Sequence, residues 1–348
     1  MSGSGPNAAR ASTSPNAGPG DAFLAGDIGG TKTILALFTA RDDDLRPVRE
    51  ETYQSREHAA FDEILSAFER ASGGLAIRAA CFDVAGPVVD GRVKTTNLPW
   101  MLDERELARR LGIARVKLLN DLEATAYGML HLPPEDLVEL NRGTRPAHPG
   151  NVAVIAAGTG LGEAMLYWDG SHHHPIASEG GHADFAPRSD LEIDLLRFLR
   201  AEVGGHVSCE RVLSGPGVFA VYRFLRSTGV APEPDWLARD IAAGDPSAAV
   251  SRAALERGDD LATRALDLFC ELYGAEAGNM ALRALTAGGV YVGGGIAPKI
   301  LPALKRGTFM RGFTDKGRFA GYVGGIDVRV CLNPRAALIG SANFARRL

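Results

Sequence analysis

The sequence predicts an α/β protein built by duplication, and three observations carry that prediction. Strand-like apolar runs alternate with stretches of helical periodicity along the chain. A glycine-rich turn between two such runs occurs near the start, at Gly29-Gly30, and again in the middle, at Gly158-Thr159-Gly160-Leu161-Gly162. The 348 residues, 45% of them apolar, exceed one ordinary compact domain and suffice to give each of two lobes its own core.

Taken in order, the first twenty residues are rich in Ser, Gly, Pro, Ala and Asn and lack the apolar run of a secretory signal, so they read as a disordered tail. An apolar segment then meets Gly29-Gly30 and resumes at Thr33–Phe38: a strand, a tight turn and a second strand. Ala79–Val84 is a further apolar run, followed by a hairpin signal at Asp90-Gly91. Val116–Leu119 predicts a buried strand, with Asn120-Asp121 at the point where it gives way to a helix, the usual place for ligands in α/β folds.

In the second half, Val152–Ala157 and Glu163–Trp168 flank the second glycine turn. His172, His173 and His174 follow it in what reads as an exposed loop rather than a metal tract. Leu191, Leu195, Leu199 and Val203 fall on one helical face, with Ser189 or Asp190 as cap. A long helix is predicted over Leu261–Leu285, a strand over Val290–Val292, and a final helix after Asn333-Pro334.

Composition excludes several function classes. The formal net charge of -4 is spread along the chain without the basic stripe that a nucleic-acid partner requires. No run of about 18 apolar residues signals a membrane span. Cys81, Cys209, Cys270 and Cys331 form no C-x-x-C pair and read as buried thiols, which places the protein in the cytoplasm.

The chemistry-bearing residues concentrate at the turns. In Gly26-Asp27-Ile28-Gly29-Gly30-Thr31, glycines let backbone N–H groups approach a phosphate, Thr31 adds a hydroxyl, and Asp27 can hold Mg²⁺ through water. A Gly-Gly pair alone also simply closes hairpins. Gly158, Thr159 and Gly160 repeat the device, and two phosphate loops facing each other across a cleft are the nucleotide clamp of the actin-like ATPase (ribonuclease H-like) fold. Gly294 and Gly295 let backbone pass near an adenosine; the other reading is a strand exit. Asp121 is the candidate general base for phosphoryl transfer to an alcohol, with a plain helix cap as the alternative. Glu179, His182 and Glu210 supply polar groups of the kind that read a polyhydroxylated ligand.

These residues resemble the bacterial-type glucokinases outside the repressor-type sugar kinase group, over nearly the whole chain from Leu24. The resemblance is carried by GDIGGTKT at Gly26, TTNLPW at Thr95, LLNDLEATAYGM at Leu118, AAGTGLG at Ala156, SEGGHADFAP at Ser178, HVSCERVLSGPG at His206, DKGRF at Asp315 and NPRAALIGSANF at Asn333. It implies ATP bound by Gly26 to Thr31 and the loop around Thr159, with Gly294 and Gly295 near the nucleoside. Glucose would be held by Asn97, Asn120, Asp121, Glu179, His182 and Glu210, with Asp121 as base for the 6-hydroxyl. It further implies two lobes that close on the sugar: a small α/β domain over 22–131 completed by the C-terminal helix over 332–348, and a large one over 132–331 that often carries a homodimer contact. The long start, Lys32 and Gly204-Gly205 depart from the pattern, and the zinc-binding cysteine cluster of the repressor-type group is missing. A non-catalytic sugar sensor on the same fold is the competing expectation, but it would call for an added helix-turn-helix. A filament-forming or chaperone-like ATPase would have no use for the sugar-reading groups.

Overall fold

The structure is a computed structural model and describes residues 22–41, 44–71, 76–144, 149–176 and 178–348; the expected tail over 1–21 lies outside the described residues. The chain divides into two compact units, residues 1–119 with 341–348 and residues 120–340.

The first unit runs β1 (Ala22–Ile28), β2 (Lys32–Arg41), β3 (Asp44–Gln54), α1 (Phe61–Ala71), β4 (Ile77–Val84), the small hairpin β5 (Arg92–Lys94) and β6 (Met101–Asp103), α2 (Glu104–Leu111) and β7 (Val116–Asn120). Its sheet has the order β3-β2-β1-β4-β7. β1 pairs antiparallel with β2, Ile28 opposite Thr33, and parallel with β4, Asp27 opposite Asp83. Central β1 is apolar nearly throughout because both its faces are covered. Asp90 and Gly91 both take positive φ, 51° and 73°, the conformation that a tight hairpin turn demands. Phe61, Leu65, Phe68, Phe82 and Trp100 build this unit's core.

The second unit runs α3 (Asp121–Met129), β8 (Leu137–Asn141), β9 (Val152–Ala157), β10 (Leu161–Trp168), β11 (His173–Ile176), α4 (Asp190–Val203), α5 (Gly215–Ser227), α6 (Asp235–Ala243), α7 (Pro246–Glu256), α8 (Asp260–Ala284), β12 (Val290–Gly293), α9 (Leu301–Leu304), α10 (Thr308–Thr314), α11 (Ala320–Gly324), β13 (Val328–Cys331) and α12 (Ala336–Arg347), whose last residues belong to the first unit. Its sheet order is β11-β10-β9-β12-β13-β8. Without the edge strand β8 this repeats the order of the first sheet, each strand finding its counterpart, which makes the duplication visible in the topology. The repeat extends to the helices that follow the last strands, α3 and α12. A Cβ on Gly128 would overlap the Ala336 carbonyl, and one on Gly340 would overlap that of Ala124, so the helices cross at reciprocal small residues.

Local signals explain most boundaries. Ser189 caps α4 and Gly204, at φ 71°, ends it; Leu195 and Leu199 are buried, while Leu191 and Val203 at its ends stay exposed. All four cysteines are free and buried. The expected loop at His172–His174 is corrected: His173 and His174 begin the edge strand β11, where His173 packs on Trp168 at 4.7 Å and its Nε2 lies 2.9 Å from the Gly150 carbonyl. Polar residues on an edge strand hide the alternation that would reveal it.

Candidate active site

In the first unit the β1–β2 turn is closed by the Gly29 N–H donating to the Lys32 carbonyl at 3.0 Å. Ser55 braces it from behind: its N–H donates to the Thr31 carbonyl at 2.9 Å and its hydroxyl to that of Gly29 at 2.7 Å. Thr31 is exposed at the tip. Gly30 is required by proximity, because a Cβ there would stand 2.6 Å from the Cβ of Asn97. The 95–100 loop that presents the exposed Asn97 is pinned by the Thr95 hydroxyl, which donates to the Leu98 carbonyl at 2.7 Å. Gly26 is explained by packing inside β1, since a Cβ would meet Leu35 and Phe82 at 2.7 Å, and the Ile28 side chain is buried in the core. Either residue could touch a ligand only through its backbone.

Asp27 is half-buried beside Asp83, which is fully buried and accepts from Ser341 at 2.9 Å. Burial pushes the Asp27 carboxyl above the usual carboxylate range, opposed by the Lys32 charge and a hydrogen bond with Asp83. Among the described residues no three His, Cys, Asp or Glu side chains gather to cage a metal ion. Two adjacent carboxylates do fit a Mg²⁺ held mostly by water and phosphate oxygens, the ordinary arrangement for that ion.

In the second unit the helix start at Asn120-Asp121 resolves the ambiguity of the sequence. Asn120 is the N-cap: its Oδ1 accepts from Leu122 N–H at 2.9 Å, and Glu123 reaches back to the Asn120 N–H at 2.9 Å, completing a capping box. Asp121 is therefore the first helical residue, and its exposed carboxylate, one oxygen of which accepts from Leu122 N–H at 2.9 Å, sits at the positive end of α3.

The second hairpin turn is shorter than expected, with β10 already beginning at Leu161. The Gly158 N–H donates to the Gly160 carbonyl at 2.8 Å, and the Gly215 N–H at the start of α5 donates to the Gly158 carbonyl at 2.8 Å. Gly294 has φ 79° and lies against Ala157, where any Cβ would overlap the carbonyl, so only glycine fits. Gly158 and Gly295 face open space. A cavity of about 1180 Å³ lies beside them, lined among others by Thr159, Pro216, Phe219, Ser247, Gly295 and Lys299.

Glu210 ties the hairpin to the polar cluster. Its Oε2 accepts from Leu161 N–H at 3.0 Å and would stand 2.5 Å from a Cβ on Gly160. Glu179 precedes the short 180–182 turn and His182 ends it, both exposed, with His182 Nε2 at 3.9 Å from Glu179 Oε2. Gly180 and Gly181 let this turn lie directly on β10.

The sequence thus locates both hairpins, the helix start and the polar turn. It missed the cavity wall contributed by α5, α7 and the 295–300 segment. The one local signal there is Ser214-Gly215-Pro216-Gly217, where the Ser214 hydroxyl caps the start of α5 by accepting from the Gly217 N–H at 3.2 Å and Pro216 fills the first turn.

The family model described as Glucokinase matches residues 24–348. The chain is 44% identical to a glucokinase of Synechocystis sp., over 92% of this chain and 96% of that one. It is 43% identical to one of Nostoc punctiforme, over 94% and 99%. Among solved structures, a glucokinase from an Antarctic psychrotroph superposes with a TM-score of 0.82 at 29% identity, covering 94% of this chain and 99% of the other. A glucokinase of the ROK family from Streptomyces griseus, solved with glucose and AMPPNP, is more distant, with a TM-score of 0.59 at 21% identity over 94% and 100%. The fold is that of the actin-like ATPases.

Proposed function

The chain belongs to the glucokinase family and is a glucokinase enzyme, and we propose on that premise that it transfers the γ-phosphoryl group of ATP to the 6-hydroxyl of D-glucose with Asp121 as general base. The observation that carries the assignment is the division of labour at the start of α3: Asn120 caps the helix, so the Asp121 carboxylate remains exposed. In the reaction Asp121 takes the 6-hydroxyl proton as O6 bonds to the γ-phosphorus, and the bond from that phosphorus to the β,γ-bridging oxygen breaks to release ADP.

Asn97, Asn120, Glu179, His182 and Glu210 hold the sugar hydroxyls. The backbone of Gly26–Thr31 and of Gly158–Gly160 contacts phosphate oxygens, and the nucleoside occupies the cavity beside Gly294 and Gly295. Asp27, with Asp83 behind it, would hold Mg²⁺ through water. When bound, that ion neutralises charge on the β- and γ-phosphates. The small and large domains of the family, a homodimer contact and a cytoplasmic setting complete the proposal; among the described residues no helix is long and apolar enough to cross a membrane.

A coupled assay with ATP, Mg²⁺ and a panel of hexoses tests it. Turnover of glucose to glucose 6-phosphate is expected. Saturable glucose binding without turnover of any hexose would favour the sensor reading instead.

A further inference from the structure

We propose that Glu163 is a positioning residue for the sugar-binding turn, its buried side chain forming the floor on which Gly180 rests and so fixing where Glu179 and His182 stand. The inference deepens the sugar-site reading and depends on it. Glu163 is the third residue of β10, and only 2% of it is exposed. Gly162 faces Leu122 of α3, whereas Leu161 and Glu163 face the opposite side of the strand. On that side the 180–182 turn lies directly on them. A Cβ on Gly181 would overlap the Leu161 carbonyl, and one on Gly180 would overlap the Glu163 carboxyl. Ser178 completes the floor, its hydroxyl accepting from the Gly180 N–H at 2.9 Å.

A carboxyl at this place is costly, which argues for a purpose. The pairs Ile28–Thr33 and Ala157–Leu161 close the two hairpins. Counting from them, Glu163 takes the place that Leu35, a fully buried core residue, takes in the first unit. Glu163 Oε1 is buried with no hydrogen-bond partner. The charged and titratable groups that face it are Glu276, Arg283 and Tyr273 on α8 and Cys209 in the 209–211 turn. Arg283 is committed to Glu276 at 2.7 Å. Burial first and the Glu276 charge second push the Glu163 carboxyl up to about 7, with Arg283 opposing. The floor is therefore neutral below that pH. Above it the buried carboxylate draws in water, and the turn shifts.

The test is the glucose KM of the full chain between about pH 6 and 8, with the ATP KM and kcat followed alongside. For the wild type the glucose KM is expected to rise about fivefold across that range, a dependence that Glu163→Gln abolishes by holding the low-pH value. Glu163→Ala, which removes the floor, should raise the glucose KM roughly tenfold at every pH with the ATP KM within about twofold. A glucose KM profile identical in wild type and Glu163→Gln overturns the proposal, and this arm decides even if the alanine variant does not fold. Glu179→Gln separates the two levels of the argument. If it raises the glucose KM while both Glu163 variants match wild type, the positioning role fails alone. If it too leaves the glucose KM unchanged, the sugar reading of the turn falls and the positioning role with it.

Discussion

The two glycine hairpins look alike in sequence and stand in opposite surroundings. The first closes beside the paired carboxylates Asp27 and Asp83, and its Gly30 is wedged against Asn97. The second closes beside the N-terminus of α5, whose Gly215 N–H donates to the Gly158 carbonyl, and Gly158 faces open space at a large cavity. In the proposed reading the first turn presents a cation-holding acid and the second receives the nucleotide. Duplication supplied the backbone, and the neighbours of each turn supplied the chemistry.

Substitutions can break that contrast. The largest effect is expected at Asp27. Asp27→Asn should lower kcat by about 10²-fold or more and raise the Mg²⁺ concentration needed for half-maximal rate, whereas no variant of the second turn should move the metal dependence. A rate curve against Mg²⁺ superimposable on wild type would remove the acid from its assigned role. Next in size is Gly30→Ala. The added methyl must displace Asn97, so the glucose KM should rise about tenfold and the melting temperature fall by several degrees.

Smallest is Gly158→Ala. Its Cβ meets nothing within 4 Å, so stability should stay within about 0.5 kcal/mol of wild type, while the ATP KM rises about threefold because the methyl occupies nucleotide space. If Gly158→Ala lowers the melting temperature as much as Gly30→Ala does, the contrast between the turns is wrong.

Much of this was legible in the sequence because it is local. Alternating apolar residues and a glycine turn specify a hairpin within twenty residues, and Ser189 or Gly204 marks a helix end by its own backbone preference. The parts that were not legible depend on distant neighbours. Gly26 and Gly30 are only four residues apart, yet one is glycine for core packing and the other for contact with a loop nearly seventy residues on. Asn120 and Asp121 both suit a helix cap, and only the placed side chains show which one serves. The cavity wall draws on α5, α7 and the 295–300 segment, which nothing in the chain order brings together. Glu163 stands in the sequence only as the start of a return strand, and it is the 180–182 turn and α8, distant in the chain, that bury it.

The central claim is that capping by Asn120 leaves Asp121 to act as the base. The direct measurement is kcat together with glucose affinity, by equilibrium binding, for Asp121→Asn. A fall in kcat of about 10²-fold or more with glucose affinity within about threefold of wild type is the predicted result. A variant that binds glucose normally and turns over at near wild-type kcat would contradict it.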